Sequence, residues 1–418
     1  MITVLRQREF SILWFAGLIS LIGDWVLRIG LPLYVFNLTG STLATGAMLV
    51  AGIAPGLLFG SIAGVFVDRW DRRRLMIASN VLQAFVLLPL LVVHSVDQVW
   101  IIYIVLFTGS TISQFFAPAQ SALLPLLVDE NYLPTANSLS ALNGNIARLL
   151  GPALAGLIIG LSGLVGITLI DALSFVIAAA MILFMHYRIA RPQSPTMGVS
   201  PVKLIRGVGR EWNEGLRLVL DTPPLAILFA IMIPIQLAEG FLGTLIVPFV
   251  STVMHGTDLD FGVLMAAQAV GGIIGSVYIA RIAGNILPQR LLGICLIIIG
   301  CCDLALFYYP LWIRGIVPGL IFIGIVGMPD VGLFTTHTTL IQTLTTDAYR
   351  GRVLGALGAL SSLVVLVGAV VAGFLGEHVN LILLLTVDGL CYIAAGIVAL
   401  ALLSRTVIVT AQAEAGLI

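Results

Sequence analysis

Residues 42–74 read TLATGAMLVAGIAPGLLFGSIAGVFVDRWDRRR, and the class of the protein follows from them. From Thr42 to Val67 no side chain is charged, and then Asp68, Arg69, Asp71, Arg72, Arg73 and Arg74 arrive together. A helix needs roughly 20 apolar residues to cross the ~30 Å hydrocarbon core of a bilayer. Only helices and closed barrels satisfy their backbone polar groups there. Barrel strands alternate in polarity over about 10 residues, and this run does neither. It reads as one membrane-spanning helix closed by a basic loop.

The same pattern repeats along the chain. Apolar runs predict helices over about 10–36, 42–67, 75–95, 99–127, 136–161 and 164–187, then 224–252, 259–281, 289–309, 313–345, 353–376 and 380–404. The 418 residues are 59% hydrophobic and 10% charged, more apolar surface than a water-soluble domain can bury. The expected class is an all-α membrane protein of twelve transmembrane helices. The first apolar stretch, after Arg6 and Arg8, is too long for a signal-peptide core and is expected to remain as helix 1.

Arginine placement orients the helices. With the amino terminus inside, the inner loops and ends hold Arg6, Arg8, Arg69, Arg72, Arg73, Arg74, Arg188, Arg191, Lys203, Arg206, Arg210, Arg217, Arg281, Arg290, Arg350, Arg352 and Arg405. Only Arg314 falls in an outer loop, while Arg28 and Arg148 lie within helices. This positive-inside bias predicts a multi-pass protein of the cell membrane with both termini cytoplasmic. The formal net charge of zero implies no bulk attraction to nucleic acid, and nothing in the spacing specifies an oligomer.

The long polar break divides the chain into an amino-terminal six-helix bundle (1–187), a cytoplasmic linker (188–223) and a carboxy-terminal six-helix bundle with a short tail (224–418). Val202, Ile205, Val208, Trp212, Leu216 and Leu220 recur at helical spacing in the linker, as in an amphipathic helix on the membrane surface. The halves look duplicated. Ile170-Asp171-Ala172-Leu173-Ser174-Phe175 matches Val387-Asp388-Gly389-Leu390-Cys391-Tyr392. Gly151 and Gly156 recur at the offset of Gly368 and Gly373, and Asp24 precedes Pro32 much as Glu239 precedes Pro248. Transporters built from such repeats bind substrate near the midplane, between the halves.

Ionisable side chains inside membrane spans are costly and mark functional candidates. Asp24 lies about 20 Å into helix 1 at 1.5 Å per residue, with Arg28 four residues on, on the same face. A proton-linked Asp24 and a static Asp24–Arg28 pair both fit. Glu239 occupies a comparable depth in helix 7 with no basic residue at i+4. Asp330 follows Pro329 in helix 10, where a broken backbone exposes polar groups. The only lysine is Lys203, so no Walker A motif exists. No His/Cys/carboxylate spacing suggests a metal, no catalytic grouping suggests an enzyme, and no cofactor is expected.

Two motifs carry a resemblance. Gly64-Val65-Phe66-Val67-Asp68-Arg69-Trp70-Asp71-Arg72-Arg73 resembles the signature loop of the major facilitator superfamily, with Asp71 where the common pattern has glycine. Arg148-Leu149-Leu150-Gly151-Pro152-Ala153-Leu154-Ala155-Gly156 resembles the Gly-Pro motif of that superfamily's exporters. With the opening helix they are similar to the drug:proton antiporter-3 branch, which includes macrolide-efflux and enterobactin-exporter proteins. Helix 4 departs from many proton-coupled exporters in lacking an arginine.

The resemblance implies two pseudo-symmetric six-helix bundles, the major facilitator fold, and a secondary transporter exporting lipophilic or amphipathic drug-like molecules in exchange for protons. It implies a conformational latch at Gly64, Asp68, Arg69, Arg72 and Arg73. It assigns Asp171, Asp303 and Asp388 to supporting positions. The expected partners are a small-molecule substrate, protons and the lipid bilayer. A siderophore or lysophospholipid transporter is the alternative within the class, and a non-transporting receptor or scaffold the alternative outside it.

Overall fold

Residues at the ends of the apolar runs explain where the helices start and stop. The computed structural model describes residues 2–67, 70–186 and 216–403, and among them there is no strand. Helix α1 (Arg8–Thr39) ends where Gly40, at φ 63°, turns its N–H back to Phe36 O. Ser41 starts α2 (Thr42–Val67) by accepting from Ala44 N at 3.1 Å. Asp71 does the same for α3 (Arg72–Leu87), accepting from Arg74 N at 3.0 Å. The aspartate that departs from the signature loop is therefore a helix cap. Helix α4 (Val99–Leu123) follows.

Next comes one helical run, Leu133–Leu183, of 51 residues. At 1.5 Å per residue it is about 76 Å long, more than twice the ~30 Å core. It is broken once, at Gly163, whose φ of 59° and ψ of −152° only glycine adopts easily. The two arms, α5 (133–162) and α6 (164–183), are separate spans. They meet with almost no loop because Gly163 alone supplies the reversal that a longer polar turn would otherwise provide.

Six more follow: α7 (Pro223–Pro248), α8 (Asp258–Ile282), α9 (Pro288–Tyr308), α10 (Val317–Leu344), α11 (Asp347–Leu375) and α12 (Leu381–Val398). Thr257 and Asp260 form a capping box on α8, and Asn380 caps α12 through Ile382 N at 2.8 Å. Eleven apolar runs are long enough to span a bilayer. With Leu133–Leu183 counted as two, the described residues hold twelve spans. Helix α11 starts at Asp347, six residues before the predicted 353, because its first turn is polar.

The helices fall into two units. One holds 2–40 and 47–186, the other 41–46 and 216–403. In the first, α1 runs along α5 and α6, and α3 packs on α4 and on that same pair. Its core includes Leu13, Met76, Leu123, Ala178 and Ile182. In the second, α7 packs on α11 and α12, α8 on α10, and α9 on α10 and α12. Its core includes Leu225, Leu228, Ile231, Leu292, Leu296 and Tyr392. Large apolar side chains such as Phe85, Leu161, Phe184 and Phe374 are exposed, an exterior suited to lipid. Of the expected linker helix, only 216–220 lie within the described residues, and they are helical.

Candidate functional site

In the first unit α1 carries Asp24 and Arg28 on its exposed face, while Gly17, Ser20, Gly23 and Leu27 form the buried one. Arg28 acts electrostatically on Asp24, and its guanidinium lies 5.2 Å from the centre of the Trp25 ring. Trp25 in turn meets Gly151, where an added Cβ would strike the Trp25 Cβ. Gly151, Pro152 and Gly156 are all buried, and the helix continues through Pro152. Gly151 of the helix 5 motif thus leaves room for Trp25, which lies between Asp24 and Arg28 on α1. Arg148 is exposed on α5. Fully buried Asp171 of α6 lies within electrostatic range of Asp24, with Ser174 Oγ donating to its carbonyl at 2.8 Å.

The second unit repeats this arrangement. Glu239 is exposed on α7, and the hydroxyl of buried Tyr392 donates to its Oε1 at 2.8 Å. Fully buried Asp388 precedes Tyr392 by one turn of α12 and interacts electrostatically with Glu239. Asp303 of α9, also buried, acts on Asp388, and half-buried Asp330 of α10 acts on Asp303. Each unit therefore sets an exposed carboxylate of its first helix beside a buried aspartate of its last. The first unit adds an arginine. The second adds two more acids, and residues 223–248, 291–308, 317–344 and 381–403 contain no lysine or arginine.

The loop between α2 and α3 is described in part. Asp68 and Arg69 lie outside the described residues, and Gly64 sits in the last turns of α2. Arg72 Nη1 donates to Ala122 O at 2.9 Å, and Arg73 donates to Ile182 O at 3.1 Å and Leu183 O at 2.5 Å. These carbonyls end α4 and α6, where the helix leaves acceptors unpaired and the dipole is negative. Arg73→Ala should lower stability by about 1.5–3 kcal/mol, the range for a charged hydrogen bond. Arg73→Lys, with one point charge for a fork of donors, should recover only part. Thermal unfolding of the purified protein in detergent checks both.

Comparison with known proteins then decides the family. The sequence profile of the transmembrane secretion effectors, a major facilitator group, matches residues 2–414. The chain belongs to that family. It is a membrane transporter of the major facilitator superfamily, not an enzyme. It is 26% identical over 380 residues to macrolide efflux protein A of Streptococcus pyogenes, covering 89% of this chain and 90% of that one. It is 26% identical over 345 residues to the staphyloferrin A transporter of Staphylococcus aureus, covering 80% and 82%. A bacterial homologue of the iron transporter ferroportin, in an inward-facing state, superposes with a TM-score of 0.74 at 18% identity, covering 95% and 99%. That last likeness shows the fold, the two-bundle major facilitator architecture.

For the transporter's candidate residues, the structure brings Asp24 together with Arg28, and Glu239 into the same acidic cluster as Asp330. Sequence reading missed Tyr392 and the pairing of Asp303 with Asp388. The available signal was glycine spacing: Gly293 and Gly300 on α9 match Gly389 and Gly396 on α12. An added Cβ at Gly300 would meet Gly389 O, and one at Gly396 would meet Gly293 O at 2.8 Å. That antiparallel register sets Asp303 and Asp388 within one turn of the Gly300–Gly389 contact.

Proposed function

We propose that this transporter exports lipophilic or amphipathic, macrolide-like molecules across the cell membrane in exchange for protons, by alternating access, with both termini cytoplasmic. Glu239 carries the reading. It is a membrane-span carboxylate hydrogen-bonded by Tyr392, beside buried Asp388. An ionisable side chain inside a span marks a coupling site, and a carboxylate there can take up and release the exchanged proton. Asp24 and Asp330 are the further coupling candidates, with Arg28 as the charge partner of Asp24. The loop of Gly64, Asp68, Arg69, Arg72 and Arg73 is proposed as the latch of one conformational state. Arg148, Gly151, Pro152 and Gly156 are proposed to seat α1 as it moves. The similarity to macrolide efflux protein A supports export and drug-like cargo. The similarity to the staphyloferrin A transporter favours one second reading, a siderophore cargo. The proposed organisation remains 1–187, 188–223 and 224–418.

Efflux of a lipophilic dye from cells, with and without a proton gradient, tests the proposal. Wild type should show gradient-dependent efflux above cells lacking the protein, and Asp24→Asn should lose most of it. Efflux that survives collapse of the gradient would remove proton exchange. Dye retention combined with transport of a ferric chelate would move the cargo to a siderophore.

A further inference from the structure

Asp303 and Asp388 are buried where α9 and α12 touch backbone to backbone, at Gly300 and Gly389. Their carboxyls lie within hydrogen-bonding range of one another, and no N–H or hydroxyl donates to either Oδ of Asp388. Among the described residues, the titratable groups that act on or feel the pair are Glu239 from α7, Asp330 from α10, Cys302 from α9, and Cys391 and Tyr392 from α12. All are neutral or acidic. Two carboxylates cannot both stay ionised in such a place, because desolvation and mutual repulsion penalise the second charge. Among the described residues, no three His, Cys, Asp or Glu side chains converge as metal ligands. A proton held between the two carboxyls, one donating and one accepting, supplies the hydrogen that their contact needs and removes one charge.

We propose that Asp303 and Asp388 share one exchangeable proton, which reaches the exposed face of α7 through Tyr392 and Glu239. Tyr392 already donates to Glu239 and lies one turn from Asp388. Its hydroxyl proton passes to ionised Glu239 while its oxygen takes the proton of the aspartate pair. One proton then moves from the pair to Glu239, and the tyrosine is unchanged. The pair is thus a buried store behind the exposed carboxylate. In the first unit the described residues hold one buried aspartate, Asp171, in place of a pair, and Arg28 acts on Asp24. The inference deepens the proton-exchange reading and rests on it for a role in the cycle.

The test is pH-difference infrared spectroscopy of the purified protein in lipid, which needs no substrate and so fails separately from the export reading. Wild type should show a protonated carboxyl C=O band that disappears as pH rises. Asp388→Asn and Asp303→Asn should each abolish that same band, leaving the partner carboxyl to titrate at a different pH. Tyr392→Phe should keep the band but slow its exchange after a pH jump. If Asp388→Asn does not elute as a folded species, Asp303→Asn and Tyr392→Phe decide alone. Two bands that titrate independently, or no carboxyl band that titrates, would overturn the proposal.

Discussion

Gly300→Leu is expected to leave little folded protein. A Cβ at Gly300 would collide with Gly389 O, and would lie 3.0 Å from Ile393 N and 2.8 Å from an Ile393 side-chain carbon. Gly389 offers no relief, because its own Cβ position is 3.0 Å from Gly300 O. Overpacking a core where side chains can yield costs about 1–3 kcal/mol. Here the opposing atoms are backbone, so α9 and α12 must separate. Their separation opens the interface that buries Asp303, Asp388 and Tyr392. Typical domains have only about 5–15 kcal/mol in total, so the loss is a large share of it. Monodisperse yield and Tm in detergent measure the effect. Gly109→Ala is the control: a Cβ there meets nothing within 4 Å. Removing the glycine from that helix interior should be neutral or stabilise by up to about 1 kcal/mol. A Gly300→Leu protein with the wild-type Tm would refute the tight crossing.

Glu239→Gln should abolish gradient-driven efflux while sparing the fold. Glutamine keeps the length of the side chain and an oxygen for the Tyr392 hydroxyl, but it cannot take up or lose a proton. Because Glu239 is exposed on α7, stability should change by no more than about 0.5 kcal/mol. Efflux in cells with an imposed proton gradient should fall to the level of cells without the protein. Exchange of labelled for unlabelled dye across vesicles, which needs no net proton movement, should persist. Tyr392→Phe differs in kind: it leaves Glu239 titratable and removes one donor. Its cost should be near 1 kcal/mol in stability, with slowed rather than absent efflux. Unimpaired gradient-driven efflux in Glu239→Gln would move coupling to Asp24 or Asp330.

Most of the fold was legible because lipid makes the sequence pattern strict. A helix in hydrocarbon must be apolar throughout its length, so uncharged runs such as Thr42–Val67 mark spans almost to the residue. Ends were less legible where caps rather than polarity decide them. The polar first turn of α11 hid its start, and Gly163 hid the joint of α5 and α6 inside a single apolar run. Candidate side chains were legible one at a time, because a charge within a span is conspicuous. Their grouping was not. That Asp303, read as a support, meets Asp388 depends on which face of α9 contacts which face of α12. A uniformly apolar helix has no amphipathic stripe to reveal that face. The glycines carried the information instead, through seven-residue spacings on two helices far apart in sequence. Asp71 shows the same limit at short range: the departure from the signature loop is visible in the sequence, but its use as the cap of α3 is visible only in the backbone.

In the proposed cycle, substrate and proton movements are obligatorily linked. Liposomes containing the purified transporter, loaded with a macrolide and diluted into macrolide-free buffer, test it directly through a lumenal pH dye. Macrolide leaving through the protein should draw protons inward and acidify the lumen faster than in protein-free liposomes, and Glu239→Gln should remove the difference. Accelerated loss of macrolide with a lumenal pH that tracks the protein-free liposomes would contradict proton exchange.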